Sequence, residues 1–156
     1  MTALAAKALE LARAAIGATE HPHGSNRGPE VDEYLRAVHL DPEKGNYPWC
    51  AAFVSAMIDR AAREVGVTHV FHGSASVSKL LGLNTMLVIE DPEPGCVFIH
   101  LNRDGTGHCG FVESIAAGDA LETVEGNSDA HGSRTGGSVV AGFRRDGYAT
   151  HFLMVA

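Results

Sequence analysis

Four residues of this 156-residue chain have the types and order for covalent chemistry: Cys50, His108, Glu125 and Asn127. Cys50 follows Tyr47-Pro48-Trp49 and opens the strongest helical pattern in the sequence. The free amides and dipole at a helix N-terminus favour negative charge. A thiol placed there has its pKa lowered, and the thiolate is the nucleophile. The competing reading is a core cysteine, since free cysteine is among the most buried residue types. A thiol nucleophile needs an imidazole within hydrogen-bond reach, and the imidazole needs an orienting group. His108 heads a predicted strand after the turn Asp104-Gly105-Thr106-Gly107. Glu125 closes the next predicted strand and Asn127 lies just beyond it. Thr123, Glu125 and Asn127 share one face if that strand stays extended. Glu125 or Asn127 then offers the acceptor that fixes the tautomer and plane of the ring.

The elements that must position these groups follow from periodicity. Leu4, Ala8, Leu11 and Ala15 predict a helix over about 2–17, ended by Gly17. A polar loop, His21 to Gly28, leads to Pro29, which suits the first position of a helix over about 29–39 with Val31, Tyr34, Leu35 and Val38 on one face. Cys50, Phe53, Val54, Met57, Ile58, Ala61, Ala62 and Val65 predict a helix over about 49–65, and a short one fits 74–82. Strands and turns dominate from residue 86, with strands over about 96–101, 108–115, 120–125, 138–145 and 149–155. Helices first and strands afterwards indicate an α+β fold with an antiparallel sheet.

Composition narrows the function classes. The net charge is -7, and the densest basic feature is the pair Arg144-Arg145, which argues against a nucleic-acid partner. Recognition is expected inside a local cleft rather than through bulk positive charge. Cys50, Cys96 and Cys109 are odd in number and fit neither a disulfide framework nor a paired zinc motif. A reducing site of synthesis is the simpler reading. Lys7, Glu10, Arg13 and Glu20 interrupt any apolar leader, so no signal peptide is expected, and no apolar run is long enough for membrane insertion. His21-x-His23 and His69-x-x-His72 lack a carboxylate-rich shell, and a zinc site needs three or four converging ligands. No metal and no cofactor are therefore expected. Cys96 and Cys109 read as core packing, Cys109 facing away from His108 because strand neighbours alternate. Trp49 either lines a sugar- or peptide-binding groove, as a substrate-binding residue, or forms an aromatic wall against the sheet. Asn26 and Arg27 belong to a cleft rim or to a solvated loop.

Five segments, in order, resemble the CHAP family, the cysteine, histidine-dependent amidohydrolases/peptidases. They are Gly24-Ser25-Asn26-Arg27-Gly28-Pro29 with Val31-Asp32-Glu33-Tyr34; Pro48-Trp49-Cys50-Ala51-Ala52-Phe53-Val54; Pro94-Gly95; Gly107-His108-Cys109-Gly110-Phe111-Val112; and Glu122-Thr123-Val124-Glu125-Gly126-Asn127-Ser128. The resemblance covers about 10–145 and implies a papain-like fold, a single catalytic domain over 1–156 with no separate wall-binding domain, and peptidoglycan as substrate. It also implies Cys50 as nucleophile, His108 as base, Glu125 as the acidic third member and Asn127 as its accompanying amide. Two departures stand out. Cys96 follows Pro94-Gly95 where the family is often acidic, and the clustered aspartates that hold calcium in some relatives are missing before Cys50.

The expected activity is amide hydrolysis, as an N-acetylmuramoyl-L-alanine amidase or a peptidoglycan endopeptidase, through a thioester. The Cys50 N–H is a natural oxyanion donor. The chain contains no glutamine, which excludes the glutamine donor of papain-like proteases. Without a leader, such an enzyme would reach the wall as a released phage-type endolysin, as a virion component on a phage tail, or as an effector carried by a secretion system and matched by an immunity protein. The alternatives are an acyltransferase or isopeptidase on the same scaffold, or a non-catalytic wall-binding module.

Overall fold

In the computed structural model, which describes residues 1–129, 131–133 and 135–156, the apolar periodicity of the N-terminal half becomes helical. Helix α1 spans Ala3–Ala14, and the Thr2 hydroxyl caps it by accepting from Ala5 N–H at 3.0 Å. It ends earlier than its pattern predicts. The Gly17 N–H turns away to Val139 O at 3.0 Å, so a tertiary bond replaces the last helical one. Helix α2 spans Pro29–Ala37, with Glu30 and Asp32 in its first turn, where the dipole favours acids. Helix α3 spans Cys50–Val65 and stops at Gly66, whose φ of 71° suits glycine. Helix α4 spans Val77–Leu83, capped by Ser76 accepting from Lys79 N–H. Among the described residues, no helix is long and apolar enough to cross a membrane.

Strands β1 (Val88–Ile89), β2 (Val97–Leu101), β3 (Gly107–Ile115), β4 (Leu121–Ser128), β5 (Ser138–Arg144) and β6 (His151–Leu153) form one antiparallel sheet of order β1-β6-β2-β3-β4-β5. This is the expected α+β architecture, a papain-like arrangement of N-terminal helices on an antiparallel sheet. β1 is an addition to the expected strands. Two residues long, it exists through its pairing with β6 and has no pattern of its own.

Alternation gives the sheet two buried faces. Val97, Ile99, Cys109, Phe111 and Val124 join the main core with the helices, whereas Cys96, Phe98, Val112 and Leu121 form a second cluster with Tyr148 and Phe152. Aromatic contacts tie the layers together. Tyr34 of α2 meets Phe53 of α3 edge-on at 5.4 Å, and Phe53 meets Phe111 of β3 at 6.4 Å. Gly126 lets α3 approach β4 closely: a Cβ there would lie 2.7 Å from the Phe53 Cβ.

Candidate active site

Cys50 is the first residue of α3, so its N–H is among those with no acceptor inside the helix. Its side chain packs against β3, beside both His108 and Cys109. Cys50 is 4% exposed, while His108 is wholly buried. Cys109 belongs to the main core, as its strand position predicts, yet its thiol also contacts Cys50. Alternation along β3 sorted the two neighbours by face. It could not show that the sulfur lies close to both of them.

His108 Nε2 lies 2.7 Å from Glu125 Oε2. An ionised carboxylate only accepts, so Nε2 carries the proton and Nδ1 is the basic nitrogen of the neutral ring. Nδ1 has no fully formed hydrogen bond among the described residues, and it is the nitrogen left for Cys50. Glu125 is held on its other sides. Thr123 Oγ1 donates to Oε1 at 2.6 Å, Arg144 Nε donates to Oε1 at 2.8 Å, and Arg144 Nη2 donates to Oε2. Two glycines make room for it. A Cβ on Gly110 would stand 2.9 Å from Glu125 Cγ, and one on Gly142 would stand 2.6 Å from Glu125 Oε1. The glycine after His108-Cys109 thus has a steric reason.

The electrostatics follow from these contacts. Hydrogen bonding from Cys109, then from His108, holds the Cys50 thiol well below its ordinary range despite burial. The same contact and burial push Cys109 well up, so it stays a thiol. Burial disfavours an imidazolium at His108, but hydrogen bonds to Cys50 and Glu125 outweigh it and raise the ring to about 9. Burial likewise opposes charge on Glu125, yet the His108 and Arg144 hydrogen bonds bring it down to about 2. All three directions favour the charged row of thiolate, imidazolium and carboxylate over its neutral counterpart.

Asn127 does not share the Thr123–Glu125 face by simple alternation. The β4–β5 register shifts between Glu125 and Ser128, and Asn127 has a φ of 54°, so the strand does not stay extended. Its side-chain oxygen and nitrogen are buried without a partner among the described residues. The acceptor on His108 is Glu125.

Trp49 requires a correction. Its side chain is 0% exposed, so it presents no surface to a groove. The indole packs 5.9 Å from the Tyr34 ring and donates through Nε1 to buried Glu20 Oε1 at 2.9 Å. It is an interior wall behind Cys50, the second of its two readings. Arg27 clamps Asp32 at 2.8 and 2.9 Å, tying the polar loop to α2, and Asn26 donates to Asn46 at 2.5 Å. His69 Nε2 pairs with Asp59 at 3.1 Å, and the His72 backbone N–H donates to Asn84. Sequence reasoning missed Arg144 and Glu20. Arg144 read as half of the densest basic pair, and Glu20 as an interruption of an apolar leader, because their partners are distant in sequence.

Comparison with known proteins gives one result that bears on this geometry. Residues 42–127, more than half of the chain, match the CHAP domain, a span that includes Cys50, His108, Glu125 and Asn127. No curated protein and no solved structure matches the chain. A match of that extent, on a chain with helices packed against an antiparallel sheet, establishes that the protein belongs to the CHAP family, a family of hydrolase type.

Proposed function

We propose that the protein is a thiol hydrolase of bacterial peptidoglycan that cleaves an amide bond, as an N-acetylmuramoyl-L-alanine amidase or a peptidoglycan endopeptidase. The observation that carries this reading is the row of Cys50, His108 and Glu125, with Glu125 on Nε2 and the sulfur beside the same ring. His108 Nδ1 takes the thiol proton, giving the thiolate–imidazolium pair. The thiolate attacks the carbonyl carbon and forms a tetrahedral oxyanion, which the Cys50 backbone N–H stabilises. One such donor contributes about 3–4 kcal/mol to the transition state. Imidazolium then protonates the departing amine as the C–N bond breaks, leaving a thioester on Cys50. His108, now neutral, accepts a proton from water as it attacks the thioester, and the carboxylate product leaves with the thiolate restored.

Glu125 fixes the ring throughout, and Asn127, with both amide atoms unpartnered among the described residues, is the accompanying amide. Peptidoglycan as substrate is supported by family membership. It would bring the protein to the wall by release, injection or carriage on a virion. The test is digestion of purified sacculi, with new amino groups quantified and the fragments sequenced by mass spectrometry. The proposal expects free amines from wild type and none from Cys50→Ala. Products that form only when an external amine is supplied would instead identify an acyltransferase. Binding to sacculi without any cleavage would identify a wall-binding module.

A further inference from the structure

We propose that Arg144 is a positioning residue of this hydrolase: its guanidinium fork fixes the rotation and the charge of Glu125, and through Glu125 the proton on His108. The inference rests on the reading of Cys50 and His108 as nucleophile and base. Arg144 ends β5, lies beyond the span matched to the CHAP domain, and is almost fully buried. Nε and Nη2 each take one oxygen of Glu125, a bidentate geometry that sets the carboxylate plane. Oε2 serves Arg144 Nη2 and His108 Nε2 together, so a rotation of the carboxylate away from the fork also moves the acceptor on the ring. Arg144 is itself held. Nη1 donates to Gly132 O at 3.0 Å, and the guanidinium lies over the Tyr148 ring at 4.5 Å from its centroid.

The glycine-lined space makes the fork necessary. Gly110 and Gly142 flank Glu125 without side chains, so among the described residues the Thr123 hydroxyl and the His108 ring would be left to restrain the carboxylate once the fork was gone. The groups that face this cluster are Cys50 of α3, His108 and Cys109 of β3, Thr123 of β4, Arg144 of β5, and Tyr148 and Asp129 from the flanking loops. Within that set Arg144 is the positive charge that does not depend on the thiol. Without it, Glu125 takes up a proton at higher pH. A neutral acid no longer holds an imidazolium, and the Cys50 thiolate is lost with it.

The test uses the intact protein and no substrate. The rate of Cys50 alkylation by iodoacetamide is followed against pH, by peptide mapping, for wild type, Arg144→Met and Arg144→Lys, with melting temperatures alongside. The Nε2 proton of His108 is followed by NMR at neutral pH. The expected result for Arg144→Met is an acid limb displaced upward, by less than the about one to three pH units that one close opposite charge confers on the carboxylate it touches. Arg144→Lys keeps the charge and loses the fork. Its limb returns toward wild type while the His108 proton resonance stays displaced. If Arg144→Met does not fold, the displaced resonance of Arg144→Lys carries the test alone. An unchanged limb and resonance in variants that only melt earlier would overturn the inference and leave Cys50 and His108 in their roles. A wild-type Cys50 that reacts like an ordinary thiol would remove both.

Discussion

Glu125 sits in the protein interior and stays charged because His108, Thr123 and Arg144 all donate to it. Its neighbours set a graded series of losses. Cys50→Ala and His108→Ala should each abolish turnover while the fold survives. Members of a catalytic unit cost about as much singly as together, of order 10⁶ in kcat for a protease triad. Glu125→Ala should cost less, about 10⁴-fold, as the orienting member of such a unit does. Asn127→Ala should leave His108 correctly oriented, since Asn127 makes no hydrogen bond to the ring. Full activity in Glu125→Ala would refute the geometry. The pH profile on sacculi has a sign as well. His108 must be protonated to release the amine, and its ring is raised to about 9, so turnover should fall as pH rises through that value.

At the scale of elements, the site depends on α3 lying close to β3 and β4, and glycines permit this approach. Gly126→Ala would force its Cβ to within 2.7 Å of Phe53, where the partner atom is a Cβ with little freedom to yield. The expected cost is about 1–3 kcal/mol of stability, measured by urea unfolding, with lower activity because Glu125 is the adjacent residue. Gly142→Ala should act more locally, pressing on the Glu125 carboxylate and Thr123 hydroxyl, so activity should drop further than melting temperature. These close approaches mark the boundary of what the sequence made legible. The helices could be read because Leu4, Val31 and Phe53 each belong to a run at 3.6-residue spacing, and β2 to β6 because turn signals bracket apolar runs. The sheet order could not, because β6 inserts between β1 and β2 through pairings that no local pattern records. Cys50 and His108 could be singled out as candidates because the start of a helix and the start of a strand are local signals. The role of Arg144 was hidden, since an arginine looks the same in sequence whether it meets water or a buried carboxylate across the sheet.

The whole molecule links its two ends. The Thr2 hydroxyl that caps α1 also donates to Val155 O at 2.7 Å, near the last strand of the sheet. The Arg13–Glu113 pair joins α1 to β3 at 2.5 Å, but both side chains are substantially exposed and such pairs contribute little. Global stability should instead respond to pH through the buried cluster. Glu125 has a pKa near 4.5 when unfolded and about 2 when folded. A carboxyl with a depressed folded pKa contributes stability that is fully present above the unfolded value and is lost as pH falls toward the folded one. Melting temperature should therefore decline as pH drops from about 4.5 toward 2, and that decline should be shallower in Glu125→Gln.

On the proposed mechanism one sulfur, Cys50, is made a nucleophile by the ring beside it. Its most direct measurement titrates the protein with iodoacetamide at mildly acidic pH, maps the adduct, and follows sacculus hydrolysis on the same samples. The expected result is one adduct per chain, on Cys50, with activity lost in proportion to labelling and the reaction strongly slowed in His108→Ala. Activity that survives complete labelling of Cys50, or adducts forming first on Cys96 or Cys109, would contradict it.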